Sequence, residues 1–332
     1  MPIPSAITRL RLSMISMLAL IIGLATLILT AIMFMLLPQY DLSIIIVGSL
    51  ALIVALHVIQ WLVGPKLLEA VYKVRPLRDP RLQWVRDMVS RISERSGLSK
   101  VPKVMVAGVD IPNAFAYGNV FTGYKVAVTD RLLKTLPPDE VEAVLAHEIG
   151  HIKHRDVELM MLISILPALI FWLGRVLMMF GWFGERRREE SAAIIPLIGL
   201  ALMAVSFVFN LFILYVSRLR EYYADTHAAL TVSHGARRLQ RALARIMIES
   251  GLIKRHRPEA LISASSFKAF LISDPDAVVR TYGFTSIDEV VEWIKSRPRL
   301  VPTELFSTHP DPAKRFRYLD KVASELLTTP VF

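Results

Sequence analysis

The sequence predicts an α+β protein, predominantly helical with a small β-sheet, preceded and interrupted by transmembrane helical hairpins. Long apolar runs come in two pairs, one at the start of the chain and one inside its polar part. The polar segments carry helical periodicity with only three short stretches of β type. An H-E-x-x-H sequence, His147 to His151, stands on a helical pattern just before the second pair.

Apolar residues make up 54% of the 332 positions, above the globular norm, and the excess lies in the runs. Residues 14–37 contain no charge and are long enough, at about 1.5 Å per residue, to cross a hydrocarbon core of roughly 30 Å. Residues 42–63 form a second run, turned back by Pro38 to Asp41. A second hairpin is expected from residues 159–183, apolar apart from Arg175, and 191–216, apolar apart from Asn210, joined by the basic and acidic linker 184–190. The expected division is therefore a membrane hairpin at 1–65, a first polar segment at 66–156, a second membrane or membrane-associated hairpin at 157–216, and a second polar segment at 217–332.

Arg9 and Arg11 precede the first run, and Lys66, Lys73, Arg75 and Arg78 follow the second, whereas the turn between them carries only Asp41. This bias places both polar segments on the cytoplasmic side of a cell membrane. The Arg186 to Arg188 cluster then falls outside and departs from the rule. The net charge of +10 is read as basic flanks meeting the anionic leaflet of a lipid bilayer. No nucleic-acid motif and no basic stripe interleaved with aromatics is present, so a nucleic-acid partner is not expected. With no cysteine there is neither a disulfide nor a thiolate metal ligand.

Along the first polar segment, Asp79-Pro80 caps a helix carrying Leu82, Val85, Met88, Val89 and Ile92, which Ser96-Gly97 ends. Residues 103–107, 113–117 and 124–129 read as strands, the last entered through a turn at Thr122-Gly123. Pro137-Pro138 opens the helix of the motif. Beyond residue 216 everything reads as helix: Ser233 to Gly235 starts a basic amphipathic one, Ser286 and Glu289 form a capping box, and Asp311-Pro312 opens the last.

Residues four apart share one helix face, so His147 and His151 can hold one metal ion, with Glu148 beside them as general base toward a water. A catalytic zinc site needs a third protein ligand. Glu221 is the best candidate; Asp225, four residues on, shares its face, so that one carboxylate can bind metal while the other accepts from a ligand histidine. Glu-assisted attack of water on a peptide bond is the chemistry this set suits.

His147-Glu148-Ile149-Gly150-His151, then Lys153-His154-Arg155-Asp156, then Arg220-Glu221-Tyr222-Tyr223-Ala224-Asp225, resembles the HtpX-type integral-membrane zinc metalloproteases, gluzincins related to the CAAX prenyl endopeptidases. The resemblance implies a gluzincin-like domain with one Zn2+ on His147, His151 and Glu221, Glu148 as base, and Asp225 behind a ligand histidine. It implies cleavage of misfolded or damaged membrane proteins, or of unfolded polypeptide, at the cytoplasmic face. Asn113-Ala114-Phe115-Ala116 matches the family's edge strand beside the cleft, which would bind substrate by strand addition. Thr308-His309-Pro310 matches a signature whose histidine donates to the oxyanion. Prenyl-protein processing is the nearest alternative, although those enzymes enclose a chamber with more spans. A catalytically silent scaffold is a second, and would have announced itself by a missing ligand or base.

Overall fold

The computed structural model describes residues 42–156, 194–256, 284–297 and 307–328, with 304, 305 and part of 158–178. The first apolar run and the linker 184–190 lie outside the described residues. The chain divides into two compact units, one of residues 1–61 with 158–216 and one of residues 62–157 with 217–332.

The second unit holds the polar segments. Helix α1, Leu42–Val71, ends in it and is followed by strand β1, Arg75–Pro76. Asp79 caps a single 3-10 turn, Pro80–Leu82, by accepting from the Arg81 N–H, and helix α2, Gln83–Arg95, follows. Strands β2, Lys103–Ala107, β3, Ala114–Asn119, and β4, Gly123–Thr129, complete a four-stranded sheet in the order β1-β2-β4-β3. The β2–β4 pair is parallel and the other two are antiparallel. β1 was not anticipated: it has two residues, one a proline, which an edge position tolerates.

Short helix α3, Asp130–Thr135, capped by the Thr129 hydroxyl, leads to α4, Pro138–Lys153. Twelve of the sixteen residues of α4 are buried, which makes it the central element. One sheet face packs Val106, Ala114, Ala116, Val126 and Val128 against α2 and α4. The other gathers Met105, Phe115, Tyr117 and Ala127 under Leu68 and Tyr72 of α1. This is the period of two expected of a strand buried on both faces.

Helix α5 is one element, Ile194–Thr231, that carries both an apolar run and the Glu221 segment. Helices α6, Gly235–His256, α7, Ile287–Ser296, and α8, Pro312–Thr328, close the second unit over α4. The arginines of α6 are largely spent inside the fold: Arg245 meets buried Glu140 at 2.9 Å, Arg238 meets Glu142 at 3.3 Å, and Arg237 meets Asp288 at 3.2 Å. The capping box forms with a shift, since Ser286 accepts from the Glu289 N–H while Glu289 reaches back to the Thr285 N–H.

In the first unit, the described residues between 158 and 178 are helical and pack on α5 through Ile163, Ile170, Leu202, Phe209 and Ile213. A Cβ on Gly174 would lie 2.7 Å from the Gly199 carbonyl oxygen, so the two helices meet backbone to backbone, the small-residue contact typical of packing in lipid. Among the described residues, Pro196–Thr231 is the one helix long and apolar enough to cross a membrane.

The β3–β4 turn depends on glycine. Gly118 has φ +105°, and a Cβ there would stand 2.2 Å from the Gly123 oxygen. Gly118→Ala is expected to cost about 1–3 kcal/mol, seen as a lowered unfolding midpoint of the purified protein.

Candidate metal centre

His147 and His151 point the same way from α4, their rings edge to face with centroids 4.8 Å apart. Glu221 comes from α5, with Oε2 3.6 Å from His147 Nε2 and Oε1 3.7 Å from His151 Nε2. One donor atom from each of the three lies within 4.8 Å of the others. Glu221 Oε2 is buried without a hydrogen bond. Two imidazoles and a carboxylate converging on one point, with that oxygen unbonded, fit a metal ion.

The close approach of the two helices has a local cause. A Cβ on Gly150 would meet His227 Cβ at 3.0 Å and Ala224 Cα at 3.2 Å. A glycine here lets α5 come this near α4 without the few tenths of an ångström that a Cβ would demand, and Ala224 offers a small partner.

Behind the ligand set each histidine has its own carboxylate. His147 Nδ1 lies 3.0 Å from Asp225 Oδ1, and His151 Nδ1 lies 2.7 Å from Asp156 Oδ2. Such partners fix the ring and leave Nε2 able to face a metal ion. Asp225 in turn accepts two bonds of 2.7 Å from Arg315 Nε and Nη2, and Arg315 Nη1 stands 3.4 Å from Glu221 Oε2. Arg220 Nε lies 3.4 Å from Asp156. The structure thus brings together His147, His151, Glu221 and Asp225, and adds Asp156, Arg220 and Arg315, which sequence reasoning missed. Asp156 had a usable signal, an acid just past the C-terminus of the motif helix, where Arg155 at φ +55° turns the chain back. Arg315 had none, because its partner lies 90 positions away.

His309 is also here, its Nδ1 3.2 Å from Glu221 Oε2. Glu148 is 4% exposed and its Oε2 accepts from the Ala116 N–H at 2.8 Å. Burial pushes the Glu148 carboxyl up, against the opposing pull of His151 and His147. Of the four residues 113–116, Ala116 touches Glu148, and Ala114 packs on the same face of the sheet. Phe115 turns to the opposite face, 5.1 Å from the Tyr72 ring, and the Asn113 N–H donates to Thr129 Oγ1. β3 is the sheet's edge, yet all six of its residues are buried. His154 stands outside the cluster with its ring 4.0 Å from that of Tyr223.

A helix bearing two metal-competent histidines and an acid, faced by a second helix that delivers a carboxylate, defines a metallopeptidase. The chain belongs to Peptidase family M48, whose sequence profile matches residues 79–323. It is a metalloprotease, a hydrolase of peptide bonds that works with a metal ion. It is 35% identical over 328 residues to "Protease HtpX homolog 2" of Sulfurisphaera tokodaii, covering 95% of this chain and 98% of that one. It is 42% identical over 282 residues to "Protease HtpX homolog" of Aeropyrum pernix, covering 83% and 86%. Among solved structures, the crystal structure of S. mikatae Ste24p shares the fold, with a TM-score of 0.50 at 22% identity over 94% of this chain and 66% of that one.

Gly150→Val is expected to push α5 away and lower the metal content of the purified protein although every ligand remains. A second expectation concerns protons. Burial pushes the His147 imidazole down, but the carboxylates of Asp225 and Glu221 outweigh it and raise the value to about 9. With an unfolded value near 6.5, this protonation stabilises metal-free protein fully below about pH 6.5. The contribution is lost as pH rises through about 9. Denaturant unfolding of chelator-treated protein across that window should show the decline, and metal affinity should rise over the same window as the proton leaves.

Proposed function

We propose that this protein is a zinc-dependent endopeptidase of the cell membrane that cleaves misfolded or damaged membrane proteins at the cytoplasmic face. The observation that carries the chemistry is the buried set His147, His151 and Glu221, backed ring by ring by Asp225 and Asp156, with Glu148 alongside. Two imidazoles and one carboxylate are a donor set suited to zinc. Zinc held there supplies Lewis acidity, polarising the peptide carbonyl and lowering the pKa of water.

The chain's own residues do the rest. Glu148, its carboxyl raised by burial, takes the proton of the attacking water and passes it to the leaving amine. His309, facing Glu221, donates to the oxygen that gains charge as the carbonyl becomes tetrahedral. Arg315 holds Asp225, and Asp225 holds the His147 ring, so the ligand face does not rotate during turnover. The main chain of Ala114, and that of Ala116 once Glu148 releases its N–H, would pair with an extended polypeptide along the β3 edge, which suits a protease of broad sequence tolerance.

Membrane residence is supported by the apolar half of α5, where Leu197, Leu200 and Phe207 are each more than half exposed, side chains that water would not favour. The lysines and arginines flanking the apolar runs favour a cytoplasmic site. The likeness to Ste24p concerns the fold and adds nothing specific for prenyl-protein processing.

Glu148→Gln should keep stoichiometric zinc and lose about 10²–10⁴-fold in cleavage of casein or of a membrane-protein substrate. Full activity in that variant would sink the mechanism. Glu221→Ala should lose zinc by metal analysis, and tight stoichiometric zinc there would mean the third ligand lies elsewhere.

A further inference from the structure

His309 sits within residues 304–311, whose described members have little regular structure of their own. Its described internal main-chain hydrogen bond runs from the Ser307 N–H to the Glu304 carbonyl, and Lys314 pairs with Glu304 across its base. A side chain from another element holds it as well. Arg218 of α5 is 8% exposed, and its Nη1 donates to the carbonyl oxygens of Glu304 at 2.9 Å, Ser307 at 2.9 Å and Leu305 at 3.5 Å. Ser307 then accepts the His309 N–H on its hydroxyl at 3.2 Å. Arg218 lies three residues before Glu221, so one face of one helix turn carries both the carboxylate and the clamp on the loop that faces it.

We propose that Arg218 is the positioning residue of His309: its guanidinium gathers three carbonyls of the loop and so sets the imidazole against Glu221 and the reacting carbonyl. A guanidinium suits this task because its fixed planar donors stay charged at any working pH and can serve several acceptors at once. The inference rests on the assignment of His309 to the developing oxyanion. It adds that the assignment depends on a residue which touches neither metal nor substrate.

The test uses full-length protein in detergent or vesicles. Arg218→Ala should keep stoichiometric zinc and change KM by less than about twofold. Its kcat should fall about 10–100-fold, the scale of a displaced catalytic group. Hydrogen exchange of residues 304–309 should quicken while α4 keeps its protection. Arg218→Ala with His309→Ala together should be no slower than His309→Ala alone, since both remove one function. Added methylguanidinium should restore part of kcat in Arg218→Ala and none in His309→Ala. Unchanged exchange of residues 304–309, additive losses in the double variant, or loss of zinc in Arg218→Ala would each overturn the proposal. Quickened exchange alongside full activity in His309→Ala would instead overturn the assignment of His309. Should Arg218→Ala fail to fold, Arg218→Lys keeps a cation but not the fork, and the same readouts apply.

Discussion

Everything in the site depends on how closely α4 and α5 approach at Gly150 and Ala224. His147 and His151 lie on one helix and Glu221 on another, some 70 positions on, and the approach of the two helices brings the three side chains within reach of one another. Removing a single Cβ from the motif helix brings the backbones together. Once that contact exists, the spacing of each helix does the remaining work. Residues four apart on α4 give two imidazoles, and residues four apart on α5 give a carboxylate that faces both Nε2 atoms and another toward the far nitrogen of His147.

A close contact of this kind concentrates charge. Glu148, Glu221, Asp225, Asp156 and Arg315 are each at most 5% exposed. Burying such groups unpaired would cost several kcal/mol apiece. They are therefore arranged as linked pairs: Arg315 with Asp225, Asp225 with His147, Asp156 with His151 and Arg220. The same economy appears on α6, whose arginines neutralise the acids at the start of α4. A reading of that helix as a free basic surface would overlook these partners.

Much of this was legible in the sequence, because it is written locally. The caps at Asp79 and Ser286 and the prolines at 137–138 and 312 mark helix starts, and short β-type runs, the last of them alternating, mark three strands to within two residues. The H-E-x-x-H spacing and the pair Glu221 and Asp225 are also local patterns. What could not be read is what only the assembled fold creates. The parallel pairing of β2 with β4 follows from no turn signal, and β1 is too short to show a period. Phe115, a reasonable contact for substrate by its neighbours in sequence, belongs to the far face of the sheet once the register is fixed. Arg315 and Arg218 become meaningful only when loops distant in sequence are placed beside α5.

The hydrogen bond from Ala116 to Glu148 has a consequence for the protein's life outside the active site. The edge of a sheet is a template on which other chains can zip, and soluble proteins blunt such edges with charge, proline or cover. β1 ends its edge with proline. At the opposite edge the outward N–H of Ala116 is already held by an acid, and the strand around it is buried. The acid we propose as the base of peptide cleavage thus also keeps this edge from adhering to other chains at rest.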